Sequence, residues 1–333
     1  MAALVARREL TANQVRAILE EMMAGRCGEV EAAAFLVGLR MKGETGQEIA
    51  TAAEVLRNHM VRWDPGCAVL DTCGTGGDGS GSFNISTAAA LVAAGAGAKV
   101  VKHGNRAVSS KSGSADVLAA LGVNIEGSAQ LARRQLECAG FAFCFAPSFH
   151  PALRHLAAVR LRLGIPTIFN CLGPLANPAG AKYQLLGVGR PDLLEFMAQA
   201  LAKLGTTRAL LVCGKDGLDE VSLAAPTSVR EVVGSKVRGF EWTAESFGLQ
   251  GASLAEVAVA DASESAVLIE SVLDGREGPA TRLVLANAAA ALVAADVADN
   301  PLQGVALAKD AIASKKARKV LEQLRSMASE PGG

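Results

Sequence analysis

Aromatic residues make up only 4% of this 333-residue chain, with one Tyr and two Trp. A β-sandwich draws its core from such residues. Their scarcity, beside 35 glycines and much Ala, Leu and Val, favours α/β architecture with many tight turns. Net charge is missing too, because 33 basic side chains balance 33 acidic ones. A general polyanion binder carries a basic excess, so any phosphate site has to be local, and neither nucleic acid nor a membrane is an expected partner. No uncharged apolar run reaches membrane-spanning length, and "MAALVARREL" lacks the apolar stretch of a signal peptide. The seven cysteines are scattered, odd in number and never spaced Cys-x-x-Cys. That pattern disfavours a disulfide framework and predicts reduced, buried thiols in a cytoplasmic protein.

What is present falls into two parts. Residues 1–65 read as a small helical domain: Thr11-x-x-Gln14 and Thr45-x-x-Glu48 are capping boxes, each followed by apolar residues at helical spacing, such as Val15, Ile18, Leu19 and Met22. Between them "EVEAAAFLVGLRMKGET" is a helix ended by Gly43, and "WDPG" at 63–66 is the exit. From residue 66 to 333 strand-like and helix-like segments alternate, which predicts a largely parallel sheet. Strands are expected at 68–72, 98–103, 141–146 and 208–213, followed by the hairpin "VREVVGSKVRGFEW". The Pro-rich stretch 147–190 breaks the rhythm and reads as helix plus ordered loops, part of which (160–190) returns to the helical domain. "LANAAAALVAA" and "GVALAKDAIASKKARKVLEQL" read as amphipathic helices.

The run "DTCGTGGDGSGSFNIST" contains Gly74-x-Gly76-x-x-Gly79, the spacing of a dinucleotide fingerprint. Its context rejects that reading. The following helix can begin only near Ser86 or Thr87, and Lys102-His103-Gly104-Asn105-Arg106 stands where a ribose-binding acid belongs. No Gly-Lys-Ser/Thr closes the run, which excludes a Walker loop. What remains is a loop dense in backbone N–H groups, a helix N-terminus behind it, and a Lys/His/Asn/Arg cluster opposite, with a second helix start at Ser114. Such a set can surround a ligand with two phosphate groups. The adjacent Asp219-Glu220, in a loop after a strand, offers hard oxygen ligands of the kind magnesium prefers.

"GTGGD", "NIST", "KHGNRAVSSKSGSAD", "GIPTIFNCLGPLANP" and "DGLDEVS" together resemble the anthranilate phosphoribosyltransferase family, in order and spacing, over nearly the whole chain. The resemblance implies a fold of the nucleoside phosphorylase/phosphoribosyltransferase kind: a small helical domain beside a larger α/β domain with a mostly parallel sheet, as a homodimer packed through the helical domains. It implies transfer of the phosphoribosyl group of phosphoribosyl pyrophosphate to anthranilate, in tryptophan biosynthesis, with Mg2+ required. Carried over by position, Gly74, Gly77, Asp78, Ser82, Asn84, Ile85, Ser86 and Thr87 contact the donor. So do Lys102, His103, Gly104, Asn105, Arg106, Ala107, Val108, Ser109, Ser110 and Ser114. Gly74, Asn105 and Arg160 fall at the anthranilate positions, Arg162 being the weaker candidate, and Ser86, Asp219 and Glu220 at those of the metal ligands. Lys102, Asp78 and Asn84 are the expected catalytic groups, Lys102 by neutralising departing pyrophosphate. His103, His150 and His155 are poor candidates for a general base, since an anthranilate amine is already neutral and nucleophilic.

The chain departs from the family pattern at Pro166, where Arg is common, at Lys315-Lys316 and at Ala244. The first lies near the expected acceptor wall. Two other readings share parts of the pattern. A pyrimidine nucleoside phosphorylase-like enzyme has this architecture without needing Asp219-Glu220. A non-catalytic nucleic-acid-binding homologue calls for a basic groove, which zero net charge opposes. Association with anthranilate synthase is left open by the residues.

Overall fold

The computed structural model describes residues 1–107 and 112–328. Among the described residues, seven strands form one sheet in the order β3-β2-β1-β4-β5-β6-β7. They are β1 (Leu70–Gly74), β2 (Val100–Gly104), β3 (Phe141–Phe145), β4 (Tyr183–Gly187), β5 (Arg208–Gly214), β6 (Thr227–Val233) and β7 (Lys236–Trp242). The first five in space run parallel, and β6 and β7 add an antiparallel hairpin at one edge. The architecture expected from the alternation is therefore present. One strand was hidden: β4 lies inside the stretch read as helix plus loops, and it occupies the middle of the sheet. "YQLLG" is only five residues long and follows a Pro/Gly-rich loop, so its period was too short to register against its surroundings.

From β1 the chain moves outward to β2 and β3, then returns to the other side of β1 as β4 and β5. The crossovers on the two sides cover opposite faces. The Ile85–Gly95 helix packs in the core with the Pro279–Ala294 and Lys316–Ala328 helices. The Leu194–Lys203 helix shares a second core with the N-terminal helices Ala12–Met23, Glu29–Lys42 and Gly46–Asn58. The crevice outside the carboxyl ends of β1 and β4 is the switch point where open α/β sheets bind ligands.

Both capping boxes form, and Gly43 ends its helix at φ +90. Glu48 does more than cap. Its side chain is fully buried, accepting from Thr45 N at 2.9 Å, Leu10 N at 2.8 Å and Lys42 Nζ at 2.8 Å, which ties three segments of the helical layer together. The Arg154–Leu163 and Ile168–Leu175 helices pack onto this layer.

Two helix expectations need correction. The Pro279–Ala294 helix is not amphipathic: it is buried all round from Leu283 to Ala294, as an Ala-rich helix at the centre of a helical layer must be. The last run divides into Pro301–Ala313 and Lys316–Ala328, with Lys315 at φ +62 between them. No helix among the described residues is long and apolar enough to cross a membrane.

Candidate active site

The glycine run leaves the end of β1 and folds over the sheet. Gly76, Gly77, Gly79 and Gly81 all take left-handed backbone, at φ +68, +82, +67 and +64. Four such residues in six positions explain why this loop is glycine: a side chain at each is strained. The loop is pinned to its neighbours. Thr75 N donates to Gly187 O at 2.9 Å, Gly189 N to Thr75 Oγ1 at 3.0 Å, and Gly76 N to Asp219 Oδ2 at 3.1 Å. Inside it, Asp78 Oδ1 accepts from Ser80 N at 3.3 Å, and the Ser80 and Ser82 hydroxyls lie 3.1 Å apart.

The helix beyond begins at Ile85, one residue earlier than expected, because Asn84 is its cap. Asn84 Oδ1 accepts from Thr87 N at 3.0 Å and from Ser86 Oγ at 3.3 Å, so one amide both ends the loop and aims the serine hydroxyl. Ser86 Oγ in turn accepts from Lys102 Nζ at 3.0 Å. The ammonium, which also donates to Thr72 O, is almost completely buried. Lys102 thus faces the serine and the acidic pair as a charge in the floor of the cleft, not as a free arm reaching over it.

Asp219 and Glu220 come from the loop after β5 and sit over β1 and β4. Gly74 and Gly187 are register partners there, and both have to be small. A Cβ on Gly187 would stand 1.6 Å from Asp219 O, and one on Gly74 2.8 Å from Asp219 Oδ2. Burial, then the charge of nearby Asp78, pushes the Asp219 carboxyl up to about 7. Burial and Asp219 raise Glu220 well above the usual range, with Lys102 pulling the other way. Crowded carboxylates beside a serine hydroxyl call for a cation. Among the described residues no three carboxylate, imidazole or thiolate groups form a ready-made metal cage. Hard oxygens without a full cage suit magnesium, which binds through one or two carboxylates together with substrate phosphate and water.

One cleft of about 350 Å³ takes in nearly every residue singled out from the sequence. Gly74, Gly77, Asp78, Ser82, Asn84, Ile85, Ser86, Lys102, His103, Gly104, Asn105, Arg106, Ala107, Ser114, Arg160, Asp219 and Glu220 all line it. Thr87 does not: it is fully buried behind the wall, its amide taken by Asn84. Val108, Ser109 and Ser110 lie outside the described residues. Arg106 is paired with Asp116 at 3.2 Å, and Asp116 Oδ2 also accepts from Ala107 N and Gly113 N.

The far half of the cleft is more apolar, with Leu56, Ala146, Leu153, Phe169 and Pro174. Arg160 reaches into it with its guanidinium 5.4 Å from the Phe169 ring, and burial lowers its pKa, so its charge is poorly hydrated. Arg162 points elsewhere and pairs with exposed Glu29 at 2.9 Å. His103 Nδ1 lies 3.0 Å from Gly173 O and its Nε2 lies 3.2 Å from His150 Nε2. Burial holds these imidazoles down, to about 3 and about 4, so both are neutral and order the wall. His155 packs beside Gly25 in the helical layer, away from the cleft. Gly187, Gly173 and Asp71 also shape the site, and no motif in the sequence marks them. A charged residue inside the apolar run "AVLDT" is the signal that could have found Asp71.

The chain matches the glycosyl transferase family twice: its helical bundle domain over residues 1–60 and its a/b domain over residues 66–318. Fold and site therefore define a two-domain glycosyl transferase. Among curated relatives, the anthranilate phosphoribosyltransferase of Thioalkalivibrio sulfidiphilus is 47% identical over 325 residues, 97% of this chain and 96% of that one. The Burkholderia cenocepacia enzyme of the same name is 48% identical over 320 residues, 95% of this chain and 93% of that one. The crystal structure of the Thermus thermophilus anthranilate phosphoribosyltransferase superposes with a TM-score of 0.92 at 41% identity, over 99% of both chains. The Saccharomyces cerevisiae enzyme in complex with PRPP and Mg does so with 0.90 at 30% identity, over 98% of this chain and 96% of that one. The chain belongs to the anthranilate phosphoribosyltransferase family.

Proposed function

We propose that this cleft transfers the phosphoribosyl group of phosphoribosyl pyrophosphate to the amine of anthranilate, giving N-(5'-phosphoribosyl)anthranilate and pyrophosphate for tryptophan synthesis. The single observation that carries the reading is the meeting of the glycine loop, the Asn84-capped helix start and the Asp219-Glu220 pair at the ends of β1 and β4. The Saccharomyces cerevisiae relative has been crystallised in complex with PRPP and Mg and, separately, with 4-fluoroanthranilate.

The loop amides and the Ile85 helix start take the donor's phosphates. Ser86, Asp219 and Glu220 would hold Mg2+, which would supply positive charge to neutralise the departing pyrophosphate. Lys102 adds fixed positive charge beneath Ser86 and compensates the acidic pair when the leaving group departs. Asp78 and Asn84 position the loop and the serine. Arg160 grips the anthranilate carboxylate with its planar fork, while Asn105 and Gly74 flank the amine. The amine nitrogen then bonds to C1 and loses a proton to solvent, without a histidine base. Most of the rate comes from holding the two substrates in line across the cleft.

A homodimer fits the helical layer. Val30, Ala34, Val37 and Met41 lie on one face of the Glu29–Lys42 helix, with Val30 78% and Met41 68% exposed, and Leu161 on the adjoining helix is 78% exposed. A helix apolar on its outward face as well as its inward one is suited to a second copy. Four of the seven thiols are buried, while Cys27, Cys67 and Cys138 are not, which corrects the expectation of buried cysteines; all seven are free, which supports a cytoplasmic setting.

Turnover is followed by the fluorescence change as anthranilate is consumed, with and without magnesium. The double variant Asp219→Asn, Glu220→Gln is expected to remain folded and lose most turnover. In the same assay Arg160→Lys raises KM for anthranilate. An unaltered rate in the double variant refutes the metal assignment, and nucleoside phosphorolysis in place of pyrophosphate release refutes the function.

A further inference from the structure

Asp71 is a carboxylate with no exposed surface, the second residue of β1, on the face opposite Lys102. Both of its oxygens are engaged. Oδ1 accepts from His103 N at 3.2 Å, and Oδ2 accepts from Asn177 Nδ2 at 2.8 Å. Asn177 Nδ2 also donates to Val101 O at 2.8 Å, and its own oxygen accepts from Ala179 N at 2.9 Å. One side chain thereby joins the β2 end, which lines the donor half of the cleft, to the loop that continues from Gly173 and Pro174 in the acceptor half. Its charge also acts through the sheet. Burial lowers the pKa of Lys102, and Asp71 is the strongest of the charges that hold it up, ahead of Glu220 and Asp219.

We infer that Asp71 is a positioning residue for the transfer: its buried carboxylate aligns Lys102 and His103 with the Asn177 loop and supports the Lys102 charge from the far side of the sheet. The inference rests on the function proposed above. An isolated buried carboxylate is costly, and removing one partner of such a set leaves the others uncompensated. Burial raises Asp71 to about 6, against the opposing effects of the Asn177 hydrogen bond, the Lys102 charge and the His103 N–H. The titratable groups on its own face of the sheet keep their state as pH falls through that value, and Asp219 and Glu220, across the sheet, are common to variant and wild type. Burial pushes the Cys73 thiol far up and the Cys144 thiol up to about 12, while the His103 imidazole is held at about 3.

The test compares rates across the neutral-to-acid range at saturating magnesium, each variant expressed as a ratio to wild type so that ionisation of the donor's own phosphates cancels. Asp71→Asn keeps the size, removes the charge and turns one accepting oxygen into a donor, as protonation of the carboxyl also does. It should lower kcat/KM for the donor by about 10- to 100-fold, the range seen for groups that orient metal ligands from behind. Its ratio should rise as pH falls through about 6, because wild type then loses the same charge. Asn177→Ala should act in the opposite sense. Without the amide donor Asp71 takes up its proton at higher pH, so this ratio falls sooner on acidification. Asn177→Ala leaves the carboxylate in place, so it answers the question even if Asp71→Asn does not fold. Flat ratios in an active wild-type background overturn the inference alone. Wild-type protein without turnover overturns the proposed function and this inference with it.

Discussion

Gly187→Ala tests how tightly the sheet controls the pair proposed to hold magnesium. Gly187 ends β4 directly beneath the loop that carries Asp219 and Glu220, and its added Cβ would lie 1.6 Å from the Asp219 carbonyl oxygen. An ordinary contact begins near 3.4 Å, so the loop or the strand has to move by about 1.8 Å. The strand is the stiffer partner, being hydrogen-bonded on both sides to β1 and β5. The movement therefore falls on Asp219-Glu220. A shift of about 1 Å in a catalytic group can cost about 100-fold, so the loss expected in kcat/KM is at least about that. Overpacking of this kind also costs about 1–3 kcal/mol, which leaves most 333-residue chains folded. Gly74→Ala meets only the end of the Asp219 side chain, at 2.8 Å, and should be milder. The assay is turnover against magnesium concentration, beside a thermal melt by circular dichroism. A folded Gly187→Ala protein with wild-type turnover and an unchanged magnesium requirement would refute the reasoning.

Two further outcomes are expected. Because Asp219 is raised to about 7, protons compete with magnesium, and the half-saturating magnesium concentration should rise as pH falls through that value. A raised acid contributes stability below its unfolded pKa that is lost as pH rises through the folded one. Metal-free protein should therefore lose stability towards neutral pH, and magnesium with the donor should restore it; denaturant titrations at several pH values, with and without both, show whether it does. Met41→Glu places a charge on the exposed apolar face of the Glu29–Lys42 helix and should shift the protein to monomer in size-exclusion chromatography, with the Gly46–Asn58 helix and the cleft unaffected. A monomeric wild type would remove the dimer proposal.

Local chemistry made much of this protein legible from its residues. Capping boxes at Thr11 and Thr45, the Gly43 stop, the hairpin around Gly234 and the alternation of strand and helix are written in stretches of a few residues, and each forms. The rejection of a dinucleotide fingerprint was also local. It needed only the late helix start and the basic cluster where a ribose-binding acid belongs.

Tertiary structure decided the rest, because it alone sets which distant residues share a surface. β4 is short and surrounded by loop residues, and only pairing with β1 and β5 makes it the central strand. That pairing puts Gly187 under Asp219, a contact between residues 32 positions apart that no spacing rule announces. Thr87 and Ser86 are neighbours in sequence, yet the helix turn buries one and presents the other to the cleft. Nothing in the sequence around Lys102 announces its burial, which sets it between Ser86 and the charge of Asp71. Burial changes what a side chain can do, and burial is a property of the folded whole.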